Sequence, residues 1–367
     1  AATHTVSPGQ SIQAAVDAAA PGDTIKVLPG DYTETHGGSA AVRITKPLKL
    51  RAKSDLPDVK VRILPGSGNT TGILVEPANP GDPDIDGLRI QGFTIEGFNN
   101  MGIWLKHVKH FVIQGNESVD NLENGIWPTL SANGLVKKNV SYGSQDSALW
   151  VEGSENVRVI SNELHHSPTG LEVTVSNNVL LRNNDLHNNT IGMGLYHPAT
   201  AGLPPLQPLD RNGYWHVISN HVHDNNEDNT GDPGSETSQL PKGGGILLLG
   251  VDHVDLKRNL IEHNDFFGIA MIDYCVAVVG TDFDCSIDPP PVSDTASDQR
   301  IWIHRCAPSA RSIRISMGAS GATAGTFKAA TTRSRSSGWT QASISFTWHP
   351  ISRSSPTPKS AARAGLA

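Results

Sequence analysis

Apolar residues in this chain come in short pairs separated by polar turns, and the pairs recur. Val112-Ile113-Gln114-Gly115-Asn116, Leu135-Val136-Lys137-Lys138-Asn139 and Val157-Arg158-Val159-Ile160-Ser161-Asn162 each end on asparagine, as do Leu181-Arg182-Asn183-Asn184, Val217-Ile218-Ser219-Asn220 and Leu256-Lys257-Arg258-Asn259. The first three steps between these asparagines are 23, 23 and 22 residues; the last two, 36 and 39, fit one repeat plus an insertion. A period of about 20–50 residues marks a solenoid, in which each repeat buries its apolar face against the next.

Within each repeat a second cue follows the turn. A small residue opens a strand of alternating pattern: Gly102-Ile103-Trp104-Leu105, Gly125-Ile126-Trp127, Ala148-Leu149-Trp150-Val151, Gly170-Leu171-Glu172-Val173, Gly192-Met193-Gly194-Leu195, Gly245-Ile246-Leu247-Leu248 and Gly268-Ile269-Ala270-Met271. The residue after the small one is always apolar and is expected to point inward, the next outward. Upstream, strands are predicted over 24–28, 41–44, 48–51, 59–64, 72–75 and 88–90. Before them Ile12, Ala15, Val16 and Ala19 share one helical face, with Ser11 placed to cap the first turn and Pro21-Gly22-Asp23 to stop the helix. Such a helix closes the open apolar end of a solenoid. Insertions are expected near 198–212 and 226–243, and insertions of this kind gather on one face, often the binding face.

This arrangement resembles the right-handed parallel β-helix of the parallel β-helix repeat proteins and, more distantly, the pectate-lyase and pectin-esterase superfamily. The resemblance covers about residues 3–300 and implies an all-β, right-handed parallel β-helix with an N-terminal capping α-helix. Ser11-Ile12-Gln13-Ala14-Ala15-Val16-Asp17-Ala18-Ala19 is also similar to the start of pectin methylesterases, and Gln145-Asp146-Ser147-Ala148-Leu149-Trp150 to their Gln-Asp-Thr-Leu-Tyr motif, where the Asp takes part in acid–base catalysis. Their partner motifs have no counterpart here, so Asp146 reads first as a turn residue.

Composition supports this picture. Aromatics are 5 % of residues, as many short strands with polar turns require. No apolar run approaches the ~18 residues of a membrane span. The chain starts Ala1-Ala2-Thr3-His4 without Met, as a mature end after signal-peptide removal does, and so does a cloning boundary. A secreted or periplasmic location is expected, and there Cys275 and Cys285 would bridge a loop; two free thiols are the alternative.

Charge divides the chain. Residues 1–299 hold 19 Lys and Arg against all 36 acidic residues, a formal −17, whereas the remainder holds ten Lys and Arg and no Asp or Glu. The solenoid is therefore assigned to 1–300. Residues 301–367, which are Ser-, Ala-, Thr- and Arg-rich without period, read either as a poorly ordered basic tail or as sequence translated out of frame. The acidic first part argues against nucleic acid as a partner, and an acidic substrate then needs bridging cations. Oligomeric state is not legible.

Equivalent residues of successive coils stack about 4.8 Å apart, so candidate chemistry is read as ladders. The Asn ladder is structural, each amide satisfying the next. Trp104, Trp127 and Trp150 share the outward position and form a candidate sugar-binding stripe, or else a self-stacking one. The same face continues with Lys106, Glu152, Glu172 and Tyr196, followed by His197 at the first insertion. For β-elimination or C5 epimerisation of a uronate, His197 is the candidate base and Tyr196 the acid. Lys106, or a cation such as Ca²⁺ held by Glu152 and Glu172, neutralises the substrate carboxylate. The two carboxylates could instead serve glycoside hydrolysis, although the polygalacturonase pattern is missing. A third ladder, His165, His187 and His223 with Glu262 at the next equivalent place, is a candidate Zn or Cu site, with solvated turn histidines as the alternative. The expected function is a lyase or epimerase on acidic polysaccharide; a non-catalytic glycan-binding or structural solenoid, a metal-handling protein, and a hydrolase or esterase are the alternatives.

Overall fold

Three parallel sheets wind around one apolar core. The structure, a computed structural model, describes residues 1–53, 59–196, 213–235 and 237–272, together with the backbone of Gln299–His304, Ala307–Pro308, Ile313–Arg314, Phe327–Thr331 and Gln341–Ile344. Each coil contributes one strand to each of an eleven-, a ten- and a nine-stranded sheet. In one coil, Val108–Gln114 lies in the eleven-stranded sheet, Glu117–Val119 in the ten-stranded sheet and Ile126–Thr129 in the nine-stranded sheet. This is an all-β parallel β-helix.

The corners follow from sequence. The residue before each repeat asparagine takes a left-handed conformation: Gly115, Lys138, Ser161, Asn183, Ser219 and Arg258 all have φ between 53° and 62°. One left-handed residue turns the chain sharply from one sheet to the next. The asparagine behind it then fixes the corner. Asn139 donates its backbone N–H (3.0 Å) and its Nδ2 (2.9 Å) to Asn162 Oδ1, and also reaches Ile113 O at 3.2 Å. The same triple contact recurs at Asn116, Asn162, Asn184 and Asn220. A second ladder, at the corner after the ten-stranded sheet, runs through Asn189, Asn225 and Asn264.

The apolar residue after each small one points inward, and Ile103, Ile126, Leu149, Leu171, Met193 and Ile246 are all fully buried. Small residues precede them because the sheets converge there: a Cβ on Gly125 would strike Ser141 Oγ and the Ala148 carbonyl. At the N-terminal end the helix Ile12–Ala18 buries Ile12 and Val16, and Ser11 Oγ accepts from Ala14 N at 3.0 Å, as the sequence predicts. Buried Glu34 completes the cap, accepting from Ser11 Oγ at 2.5 Å and Ile12 N at 2.7 Å.

Two strands, Gln299–His304 and Ala307–Pro308, still pair in parallel within the solenoid, so regular pairing runs a few residues past the expected boundary at 300. Beyond it, the backbone of Ile313–Arg314, Phe327–Thr331 and Gln341–Ile344 forms a separate antiparallel sheet. The insertion at 226–243 carries a short 3₁₀ turn, Thr237–Gln239. The expected insertion at 198–212 lies outside the described residues, as do His197, Cys275 and Cys285.

Candidate functional site

The outer face of the nine-stranded sheet carries most of the residues singled out above. Strand register aligns Trp150, Glu172, Gly194 and Leu247 on one rung line and Glu152, Thr174, Tyr196 and Leu249 on the next. Lys106 pairs with Thr129, and Thr129 with Glu152.

The tryptophans differ from an exposed stripe. Their indoles stack in parallel, with centroids 4.9 Å apart for Trp104–Trp127 and 4.8 Å for Trp127–Trp150, and Trp127 is buried. Both faces of Trp127 are therefore taken up by its neighbours. Lys106 Nζ sits 3.5 Å from the Trp104 ring centroid, covering its other face, and also lies 3.5 Å from Glu76 Oε2. The physical reason is the parallel register: identical flat rings one rung apart meet at close to stacking distance, so they satisfy each other before any sugar. Lys106 is thus engaged two rungs from Glu152.

The stack orders its polar edge as well. Trp104 Nε1 donates to Thr129 Oγ1 at 3.2 Å and Trp150 Nε1 to Thr174 Oγ1 at 2.8 Å. At the middle rung the hydroxyl is replaced by Glu152, only 1 % exposed. Neither Glu152 Oε2 nor Trp127 Nε1 completes a hydrogen bond among the described residues. Burial pushes the Glu152 carboxyl up to about 8; the nearby Trp127 N–H opposes this and the Asp146 charge adds to it.

Glu172, on the adjacent coil, is also buried, and its Oε2 accepts from Ser147 Oγ at 2.6 Å. Gly194 occupies the next rung. A Cβ there would collide with the Tyr196 hydroxyl and ring, so Tyr196 folds back along its strand into the outward slot beside Glu172. The chain thus brings Glu172 and Tyr196 together, with Glu152 one rung from Thr174 on the neighbouring line. Farther along, Ile191, Leu247, Phe267 and Ala270 form an apolar cluster on this outer face, against which Tyr196 and Leu240 pack.

Leu240 belongs to the 226–243 insertion, which reaches back across several coils. From the same loop Thr237 Oγ1 donates to Asp146 Oδ1 at 2.5 Å, while Asn124 Nδ2 reaches Asp146 Oδ2 at 3.3 Å. Burial raises the Asp146 carboxyl and those two donors partly offset the rise. Asp146 is therefore where the loop is anchored. The sequence did not disclose Ser147 or Thr237; a strand-by-strand register finds the first, but only the folded loop reveals the second.

The histidine ladder stacks outward on the ten-stranded sheet as expected. Tyr142, His165, His187 and His223 follow one another at 4.6, 5.0 and 5.3 Å between ring centroids. Among the described residues its ring nitrogens point to different partners. His165 Nδ1 faces His166 Nδ1, and His187 is held by Asn188 Oδ1 at 2.8 Å and Glu163 at 3.5 Å, so these two share no common acceptor with His223. Burial, then the charges of His187 and His166, lower His165 to about 4. The ligand atoms that do converge are those of Asp185, His221 and His223, with Glu262 bonded to His221.

Residues 71–203 match the family model described as a right handed beta helix region. No curated protein matches the sequence. Among solved structures, the A-module of the mannuronan C-5 epimerase AlgE6 from Azotobacter vinelandii is similar at 14 % identity and a TM-score of 0.56, covering 82 % of this chain and 83 % of that one. A DFA-IIIase from Arthrobacter chlorophenolicus A6, in complex with GF2, is similar at 13 % identity and a TM-score of 0.50, covering 69 % and 75 %. The likeness to both is one of fold. No helix among the described residues is long and apolar enough to cross a membrane.

Proposed function

We propose that this right-handed parallel β-helix of the pectate-lyase-like fold is a carbohydrate-active enzyme, a lyase or C5 epimerase on acidic polysaccharide. Its chemistry runs on the outer face of the nine-stranded sheet. The observation that carries the reading is Glu172 beside Tyr196 on this outer face, between an aromatic stack and a loop-covered apolar patch. The shared fold of a mannuronan C-5 epimerase module supports the substrate class, and such substrates support a secreted or periplasmic location.

Removing the C5 proton of a uronate pushes an electron pair toward its carboxyl group, so that group must first be neutralised. Glu152 is 1 % exposed, so the proposed neutraliser is a cation such as Ca²⁺ at Glu172 rather than Glu152 itself. The pair then either expels the O4-linked sugar, forming a C4=C5 bond while the leaving oxygen takes a proton, or is reprotonated at C5 from the opposite face. The Tyr196 hydroxyl is the proposed proton donor, Glu172 orients the sugar or holds Ca²⁺ at the carboxylate, and His197 is the proposed base.

The test uses the full chain on a panel of uronate polymers, mannuronan included, with and without Ca²⁺. Ultraviolet absorbance reads the unsaturated product and proton NMR the epimer ratio. Turnover is expected, and Tyr196→Phe should lower it by ~10²–10⁴-fold. No change on any polymer sinks the reading, and new reducing ends without unsaturation would move it to hydrolysis.

A further inference from the structure

A second cluster lies on a different face, the outer side of the ten-stranded sheet, and none of the chemistry above uses it. Asp185 pairs in register with His221, and His223 lies two residues farther along the same strand. Asp185 Oδ1 is 3.0 Å from His223 Nε2 and 3.6 Å from His221 Nδ1. The other nitrogen of each ring meets its own carboxylate: His221 Nε2 lies 2.9 Å from Glu262 Oε1, and His223 Nδ1 lies 2.7 Å from Asp224 Oδ2.

We infer that Asp185, His221 and His223 form a site for a divalent transition-metal ion, Zn²⁺ or Cu²⁺, with Glu262 and Asp224 as the outer carboxylates that orient the two imidazoles. Imidazole and carboxylate suit these ions. An outer carboxylate on the distal ring nitrogen fixes the tautomer and leaves the inner nitrogen free to ligate, and such partners are the usual companions of metal-bound histidine. Here both rings have one, and both inner nitrogens face the same oxygen. The separations of 3.0 and 3.6 Å bracket the ~3.3 Å edge of a tetrahedron with ~2.0 Å bonds. The side chains are partly exposed, 37 % for His221, 20 % for His223 and 49 % for Asp185, so an ion can reach them and water can complete its coordination. The two rings stack at 3.8 Å between centroids, so joint ligation is expected to rotate the His221 ring about its Cβ–Cγ bond.

Two further features separate this cluster from an ordinary exposed ion-pair network. Each histidine contacts two carboxylates on opposite ring edges, a pattern absent at His165 and His187. Glu163, which pairs with Asp185 in register, is occupied by His187, and the neighbouring His263 leans on Asp224 Oδ1 at 3.7 Å without reaching Asp185.

The test titrates metal-stripped full-length protein with Zn²⁺ by calorimetry and with Cu²⁺ by electron paramagnetic resonance. One Zn²⁺ per chain is expected. Binding should weaken by ~10- to 100-fold in Glu262→Gln and be lost in His221→Gln and His223→Gln, while His165→Gln leaves it unchanged. Circular dichroism checks that each variant folds. Should both histidine variants fail to fold, the wild-type Cu²⁺ spectrum decides alone, because two coupled nitrogens are required. No saturable binding, equal weakening by His165→Gln, or a spectrum without two-nitrogen coupling overturns the assignment. None of these readouts depends on polysaccharide turnover.

Discussion

Glu152 shows how a single position can differ in kind from its neighbours on the same ladder. Thr129 and Thr174 accept the indole N–H of the preceding coil, but at the middle rung a carboxyl sits in the same slot, buried and incompletely bonded. In the folded chain it keeps its proton up to about 8, whereas its ordinary value is 4.5. Between those values the unfolded chain binds fewer protons, so stability falls as pH rises; outside them this group contributes no slope. Glu152→Gln, an isostere of the protonated acid, should therefore flatten the pH profile. It should raise stability by on the order of 3 kcal/mol at pH 8 relative to its effect at pH 4.5. Urea unfolding at the two pH values checks this, and an unchanged profile in the variant would show that Glu152 is ionised in the native state. The outward placement of Glu152 was legible from alternation. Its burial, 1 % exposed, was not, because alternation gives a side chain's direction and not what packs over it.

At the scale of one element, the corners hold the solenoid together. Asn162 accepts from Asn139 twice and itself donates to Val136 O and Asn184 Oδ1. Asn162→Ala leaves at least two buried donors on Asn139 without an acceptor, at a cost of about 3 kcal/mol or more. Hydrogen exchange should report the loss first at the adjacent coils, since solenoid repeats couple to their nearest neighbours; a uniform change along the chain would argue against that coupling. The capping helix depends likewise on Glu34, a residue from the following coil. Glu34→Ala removes the acceptor of Ser11 Oγ and Ile12 N and should lower stability by about 2 kcal/mol, measured as a shifted denaturant midpoint. Ser11 and the apolar face of the helix were readable in sequence, because capping and periodicity are local. Glu34 was not, because its partners are more than twenty residues away.

The whole molecule sets the electrostatic context. Residues 1–299 carry a formal −17, so a polyuronate approaches against repulsion that salt and divalent cations screen. For the proposed activity, KM should therefore fall as ionic strength rises from a few millimolar toward physiological levels, with Ca²⁺ acting at lower concentration than Na⁺. Steady-state kinetics across a salt series measures it. A KM that instead rises with salt would mean that a basic surface, such as the segment after residue 300, receives the polymer.

By itself the sequence determined the repeat and, through it, the parallel β-helix, its capping helix, the inward and outward positions on each strand, and the alignment of Trp104, Trp127 and Trp150 or of His165, His187 and His223. All of these depend on spacing along the chain, which a regular solenoid converts directly into position. Tertiary structure alone decided what each aligned group contacts. It closed the tryptophan faces on one another, folded Tyr196 over Gly194 and brought Thr237 back to Asp146. It also moved the convergence of metal-ligating atoms from the histidine ladder to Asp185, His221 and His223. Those outcomes turn on rotamers, on loop paths and on stacking between coils, where distances of a few ångströms separate a ligand from a neighbour and no periodicity records them.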